Sequence, residues 1–174
     1  MDRDESSPRI NQYPPERLVG GLRKLLTVER LDTDLYRGSN SSEERDRVFG
    51  GQVIAQALAA ASHSVEEDRI VHSLHAYFLR GGDQKAPIIY RVERDFDGRS
   101  FSNRRVIAIQ HGKPILNFSA SFQTGSNGLT HQFAMPDVPP PEELPGEIER
   151  LESQDKVPTA YVERLRASPR PIEF

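Results

Sequence analysis

The chain has 174 residues, a formal net charge of −3 and no cysteine. Its length predicts one domain with a tail, and its slightly acidic balance argues against nucleic acid or an anionic membrane surface as the main partner. The lack of cysteine excludes disulfides, thiolate nucleophiles and cysteine-ligated zinc. No apolar run approaches about 18 residues, and the amino terminus lacks the pattern of a signal peptide. We therefore expect a cytoplasmic protein without membrane insertion.

The first predicted elements are short. Residues 1–16 are polar and are expected to be disordered. Leucines at helical spacing predict a short amphipathic helix next, although a glycine pair at positions 20 and 21 weakens the pattern. A strand is predicted over residues 28–37, closed by Gly38, and residues 39–47 have the composition of a charged loop.

The most apolar stretch predicts a helix from Gln52 to about Ser64. It follows the glycine pair Gly50 and Gly51 and is rich in alanine, which has the highest helix propensity. Its side chains leave almost no polar face. We therefore expect this helix to be the most buried element of the fold.

Alternating apolar and polar residues predict four strands after the helix, over residues 70–80, 87–96, 100–110 and 114–124. The dipeptides Asp97-Gly98 and His111-Gly112 predict tight turns between the last three. Strands joined by such turns are antiparallel neighbours. The economical architecture is an α+β fold, in which a curved antiparallel sheet of five to six strands wraps around one central helix.

The carboxyl-terminal part of the chain has a different composition. Five prolines between positions 136 and 145 predict an extended linker, and the acidic residues after it predict a short helix. The last residues, 161–174, include apolar side chains but no closing element. They have the composition expected at the beginning of a further unit.

The head of the central helix is the most informative candidate site. Unpaired backbone N–H groups and the positive end of the helix dipole suit a carbonyl or oxyanion, and glycines let a ligand approach the backbone. The candidate binding residues are Gly50, Gly51 and Gln52, which follow Phe49. The alternative is that the two glycines only make a tight turn. The residues alone favour that alternative.

Histidines provide one weak catalytic candidate. His72 could act as a general base, although a histidine on a half-buried strand is more often structural. His72 and His75 are three apart on a strand, so strict alternation places them on opposite faces and they cannot chelate one metal. No nucleophile elbow, Walker loop or dinucleotide fingerprint is present. Neither a metal nor a cofactor is predicted.

The charged residues near the turns are weaker candidates. Asp83 and Asp95 are expected to be solvated loop carboxylates. Arg104 and Arg105 are neighbours on a strand, so at most one of them lies near any single pocket, where it could bind a phosphate. A surface ion pair is their expected use.

Several segments, in one order, resemble the acyl-CoA thioesterase II family. They are LLTVERLDTDLYRG, VFGGQVIAQALAAA, RIVHSLHAYFLRGGD, PIIYRVERDFDGRSFSNRRVIAIQHGKPIL and SASFQ. The resemblance also includes the proline linker and the closing RPIEF, so it runs from about Leu18 to Phe174. Members of this family carry two hot-dog domains in one chain, each a long helix wrapped by an antiparallel sheet.

The resemblance implies a domain organisation and an activity. Residues 17–125 correspond to the first hot-dog domain, and residues 126–174 to the linker and the start of a second. The family hydrolyses fatty acyl-CoA to fatty acid and CoA, in fatty acid metabolism and without a cofactor. An Asp, a Thr or Ser, and a Gln of the second domain activate the water. Those residues have no counterparts in this truncated chain, so no catalytic residue is assigned.

The resemblance also implies a substrate site and partners. Gly50, Gly51 and Gln52 are expected to bind the acyl-CoA substrate, with His72 as a supporting residue on the same side of the fold. A homodimer or higher oligomer is expected, because the second domain would otherwise cover an edge strand and an apolar flank. Two interpretations stay open. One is an acyl-CoA thioesterase, and the other is a non-catalytic acyl-CoA-binding or dimerisation module.

Overall fold

The computed structural model describes residues 14–40, 47–125, 127–154, 156–167 and 172. The chain divides into two compact units. One is Arg23–Leu129, which we call the sheet unit, and the other combines Met1–Leu22 with Thr130–Phe174. Most of the amino-terminal segment predicted to be disordered, and most of the predicted charged loop, lie outside the described residues.

The predicted amino-terminal helix is confirmed as α1 (Pro15–Leu26). Gly20 and Gly21 lie inside it, and the space at both is open, with nothing within 4 Å of where a side chain would begin. The helix ends against the sheet unit's own helix, where the side-chain amide of Gln56 donates to the carbonyl of Leu25 at 2.6 Å. This hydrogen bond fixes the carboxyl end of α1, whereas the glycine pair lies in open surroundings.

Among the described residues, six antiparallel strands form one sheet. They are β1 (Val28–Asp32), β2 (Leu35–Gly38), β3 (Arg69–Phe78), β4 (Ile88–Asp97), β5 (Phe101–Gln110) and β6 (Lys113–Thr124). Their order is β1-β2-β4-β5-β6-β3, so β1 and β3 form the edges of this sheet. The sheet has the number of strands that the sequence predicts.

The single strand predicted over residues 28–37 is wrong. The chain makes a hairpin there, β1 to β2, with a turn at Thr33 and Asp34. Asp34 has a positive φ of 55°, a conformation that aspartate adopts more readily than most residues. No glycine marks this turn, so the sequence pattern continues through it.

The predicted meander of β4, β5 and β6 is confirmed. The second tight turn has positive φ at both central residues, 49° at His111 and 72° at Gly112, as a two-residue hairpin requires. In contrast, β3 does not lie beside β4. It pairs with β6 at the far edge, where Leu74 is opposite Ala120.

The central helix, α2 (Gly50–Ser62), starts at the glycine pair rather than after it. It packs on one face of the sheet, and its fully buried residues are Gln52, Val53, Gln56, Ala57, Ala60 and Ala61. Ile54, Leu58 and Ala59 are partly buried and also pack against the core, so most of the helix lies against the rest of the protein. A helix against a sheet is the architecture that both the sequence pattern and the hot-dog resemblance imply.

The carboxyl-terminal region has little regular structure. Residues 127–140 are exposed and form neither helix nor strand. They are followed by one 3₁₀ turn, Pro141–Glu143. The predicted acidic helix is α3 (Glu147–Glu152), and α4 (Thr159–Ala167) was not predicted. In the described part of the chain, no helix has both the length and the apolar character needed to cross a membrane.

Candidate functional site

The start of α2 has an uncapped first turn. Phe49, the residue before the helix, has an extended backbone and no side-chain acceptor for a capping hydrogen bond. The N–H groups of Gln52 and Val53 both donate to the carbonyl of Phe49, at 3.1 and 3.3 Å. Within the described residues, the N–H groups of Gly50 and Gly51 make no hydrogen bond. These two, rather than Gln52, are the donors left for a ligand.

Two aromatic rings lie directly against the two glycines. A Cβ on Gly50 would lie 2.9 Å from Cζ of Phe78, and one on Gly51 would lie 2.5 Å from Cε1 of Phe49. Both rings are largely exposed, at 63% for Phe49 and 55% for Phe78. The glycines therefore allow two movable rings to lie on the helix head, a role that neither sequence-based alternative included.

A cavity of about 440 Å³ opens beside this helix head, and we call it the head cavity. Its size falls in the range of small-molecule sites, roughly 300–1,000 Å³. Its wall includes three glycines, among them Gly50, and the two cations Arg47 and Arg80. The apolar side chains of the wall are Val48, Val53, Phe78, Leu79 and Ile115. The structure thus combines an apolar surface with positive charge at the predicted site.

The side chain of Gln52 is already used within the protein. It is buried, and its amide donates to the carbonyl of Ser39 and to Oδ1 of Asn40, both at 3.1 Å. The amide of Asn40 in turn donates to the carbonyls of Asp83 and Ala86. Gln52 therefore fastens the segment after β2 to α2, and its part in ligand binding stays a prediction that its side-chain contacts do not favour.

A second glutamine of α2 was missed by the sequence analysis. Gln56 is fully buried, and its amide donates to the carbonyls of Leu25 and Ser39. The hydroxyl of Tyr90 donates to its Oε1 at 2.8 Å, and burial raises the pKa of Tyr90. Two glutamines four residues apart on an otherwise apolar helix were the available signal.

His72 lies on the outer face of the sheet, on the opposite side from α2. The ladder between β3 and β6 is irregular between Val71 and Ser73, and this β-bulge breaks the strict alternation of faces. Nε2 of His72 shares a hydrogen bond of 2.8 Å with Oγ of Ser121, which also points outward. The predicted opposite faces of His72 and His75 are therefore wrong, because both side chains lie on the outer face.

The structure does not bring His72 and the helix head together. Phe78, which lines the head cavity, is six residues further along β3, a distance of about 20 Å. His72 contacts Phe101 edge-on, with ring centroids 5.9 Å apart. Neither of these two partners of His72, Ser121 and Phe101, lines the head cavity.

Asp83 stabilises the loop after β3. Its carboxylate accepts the N–H of Lys85 at 2.8 Å and lies 2.9 Å from Nε2 of His111. These hydrogen bonds lower the pKa of Asp83, which makes it a weaker base than an ordinary aspartate. The amide of Gln110 accepts the N–H of Asp83 and donates to its carbonyl, which fixes the loop further.

Arg104 and Arg105 lie on opposite faces, as predicted. Arg105 is exposed and pairs with Asp95 at 3.3 Å, the surface ion pair that the sequence predicts. Arg104 points inward, is 1% exposed and donates to the hydroxyl and carbonyl of Ser64, just after α2. It also donates to Asp97 at 2.6 Å, so it is not available to a phosphate. No group of three or more metal-ligating side chains occurs among the described residues.

Comparison with known proteins points to one family. Residues 40–123 match the family described as the acyl-CoA thioesterase N-terminal domain. The chain is 55% identical over 121 residues to acyl-coenzyme A thioesterase 8 of Homo sapiens, a match that covers 69% of this chain and 38% of that protein.

Solved structures agree with this relationship. The acyl-CoA thioesterase II TesB2 of Mycobacterium marinum matches with a TM-score of 0.66 and 49% sequence identity, over 72% of this chain and 47% of that one. A protein described as having a hot dog fold, from Alicyclobacillus acidocaldarius, matches with a TM-score of 0.60 at 24% identity, over 71% of this chain and 47% of that one, which supports the fold alone.

The chain spans about half the length of these relatives, or less. Within that half, the matched residues 40–123 include α2 and strands β3, β4 and β5 of the sheet. Residues 40–123 of this chain therefore belong to the acyl-CoA thioesterase N-terminal domain family, and the fold around them is that of acyl-CoA thioesterase II.

Proposed function

We propose that this chain takes part in the hydrolysis of fatty acyl-CoA to fatty acid and CoA, within cytoplasmic fatty acid metabolism. The observation that carries the proposal is the uncapped head of α2, where the N–H groups of Gly50 and Gly51 make no hydrogen bond among the described residues and Gly50 lines the head cavity. The thioesterase names of its relatives support the reaction class. No cofactor is needed, because water is the second substrate.

In this proposal, the N–H groups of Gly50 and Gly51 donate to the thioester carbonyl oxygen. That oxygen gains negative charge as water attacks the carbonyl carbon, and donors held in place at a helix start stabilise such charge. The rings of Phe49 and Phe78 must shift to admit the carbonyl, since they lie on these two glycines. The acyl chain then contacts the apolar wall of the head cavity.

The resemblance assigns water activation to a second hot-dog domain. The candidates among the described residues of the sheet unit do not replace it, because Asp83 is held in its loop and His72 lies on the outer face. We therefore propose that the 174-residue chain binds acyl-CoA but hydrolyses it slowly. His72 stays only a weak candidate for a supporting role.

The test replaces Gly51 with valine. The new side chain displaces the Phe49 ring and fills the approach to the helix head. We expect affinity for a non-hydrolysable oxoalkyl thioether of CoA to fall at least tenfold, about 1.4 kcal/mol, with little change in the unfolding midpoint. Gly20→Val is the matched control, since it also puts valine into a helix but at an open position. Equal affinities in the two folded variants would rule out the helix-head site.

A thiol-release assay measures turnover in the same samples. The chain has no cysteine, so the protein itself gives no background in this assay. Very slow release from a long-chain acyl-CoA, together with binding of the analogue, agrees with the proposal. Rapid release would show that residues of this chain activate water themselves.

A second role, as a dimerisation module, is favoured by the edge strand β3. Strand edges present unpaired backbone groups, and β3 also exposes Ile70, Leu74, Tyr77 and Phe78. We propose that this edge pairs with a second hot-dog sheet, either a second copy or another domain. Light scattering tests this proposal by measuring the mass of the particle in solution. A wild-type dimer that becomes a folded monomer in Leu74→Lys would support self-pairing. A wild-type chain that stays monomeric at high concentration would contradict it.

A further inference from the structure

The head cavity contains more positive charge than a neutral carbonyl needs. Both of its charged lining residues are arginines, Arg47 and Arg80, in a chain whose net charge is −3. Among the described residues, neither arginine has a carboxylate partner. Six of the other described arginines do pair with carboxylates, whereas Arg47 and Arg80 line one cavity without such a partner there.

Local contacts hold the two arginines at the cavity without neutralising them. Nη1 of Arg80 donates to the carbonyl of Pro114 at 2.6 Å, which leaves its other donors available. The side chain of Arg47 lies along the backbone of Gly81, where a Cβ would be 3.0 Å from its Cδ. The nearest acid in that loop, Asp83, is already bonded to His111 and Lys85.

The apolar part of the cavity completes an amphiphilic site. Val53, Phe78 and Ile115 line the same space as the two guanidinium groups. A ligand that fills both parts has an apolar chain and one anionic head group. Hydrolysis of a thioester produces such a molecule, because the neutral carbonyl becomes a carboxylate on the same chain.

We propose that Arg47 and Arg80 bind the carboxylate of a free fatty acid, the product of the proposed reaction, with its chain in the head cavity. This inference rests on the proposed function, since it takes the helix head as the site of the reacting carbonyl. Guanidinium groups suit carboxylates through paired N–H donors. The fatty acid therefore binds more tightly than an uncharged molecule with the same chain, and it competes with the acyl-CoA substrate.

Phosphate groups of CoA are the other anions that arginines could bind here. In acyl-CoA the pantetheine arm separates the phosphates from the thioester. A carbonyl at the helix head therefore places the phosphates well away from the head cavity, which Gly50 itself lines. The carboxylate lies at the reacting carbon, so it fits the observed position of the two arginines.

The experiment measures binding of decanoate, decanol and free CoA to the full chain by calorimetry. Wild type is compared with Arg47→Gln, Arg80→Gln and the control Arg91→Gln, which removes an exposed arginine paired with Glu93 outside the cavity. We expect decanoate affinity to fall at least tenfold in each cavity variant and to be retained in the control. Decanol, which has the same chain but no charge, is expected to bind equally to all four.

Three results would overturn the inference: decanoate binding that does not depend on the arginines, no decanoate binding by wild type, or arginine-dependent binding of free CoA instead. If Arg80→Gln does not fold, Arg47→Gln and Arg80→Lys complete the test, and the lysine is expected to retain part of the affinity. The oxoalkyl thioether of CoA is titrated in parallel. If the thioether binds but decanoate affinity does not depend on the arginines, only this inference fails. If the thioether binds neither to wild type nor to any variant, the proposed function fails.

Discussion

The two ends of α2 are built in opposite ways. At its carboxyl end, Arg104 is buried and donates to Ser64 and Asp97. At its amino end, the first turn is uncapped, and Arg47 and Arg80 face a cavity without a carboxylate partner among the described residues. At the carboxyl end, the polar groups make hydrogen bonds within the protein. At the amino end, backbone N–H groups and guanidinium groups still have unused hydrogen-bond donors among the described residues.

This difference separates stability from binding along a single helix. A buried guanidinium that donates to carbonyls at a helix end satisfies acceptors and complements the negative end of the dipole. Unused donors at the opposite end contribute little to folding, since water can satisfy them. They remain available to a ligand. Variants at the carboxyl end should therefore change stability, and variants at the amino end should change binding.

The largest expected effect is that of Arg104→Met. It removes a buried guanidinium and leaves the buried hydroxyl of Ser64, and acceptors of Phe96 and Asp97, without their donor, which we expect to lower the free energy of unfolding by about 3 kcal/mol. Urea unfolding measures this change. The matched control is Arg105→Met on the outer face, whose solvent-exposed ion pair with Asp95 contributes little to stability. Similar losses in both variants would remove the distinction between the two faces.

Local sequence patterns predicted the elements that form this comparison. Alanine-rich periodicity found α2, and alternation with two-residue turns found the meander of β4, β5 and β6. Each of these signals lies within a few residues of the chain. The glycine pair also indicated where the helix begins, and the structure starts α2 at Gly50.

Contacts between distant parts of the chain could not be predicted. The bulge at His72 depends on its pairing with β6, and the ring over Gly50 comes from Phe78 on another element. Arg47 and Arg80 meet at one cavity only because β3 ends beside the start of α2. Their joint charge is visible in three dimensions and not in the sequence pattern.

A smaller effect is expected from Asp97→Asn, and it depends on pH. Burial opposes ionisation of this carboxyl, but hydrogen bonds from Ser102 and Arg104 outweigh it and lower the pKa of Asp97. Because the pKa is lower in the folded state than in the unfolded state, where it is near 3.9, the ionised carboxyl stabilises the fold at any pH above that value. This stability is lost as the pH falls through the folded-state pKa. We expect a loss of about 1 kcal/mol at pH 7, because the carboxyl is half exposed. The variant should also lose stability less steeply than wild type below about pH 4, measured by urea unfolding across pH.

The smallest expected effect on stability is that of Arg47→Gln at the amino end. Arg47 is exposed and has no carboxylate partner among the described residues, so its replacement should change the free energy of unfolding by less than about 0.5 kcal/mol. The same variant is expected to lose most of its affinity for decanoate. Urea unfolding and calorimetry on one preparation compare the two effects directly. A large loss of stability would show that Arg47 holds the loop at Gly81 in place, and that the two ends of α2 are not divided between folding and binding.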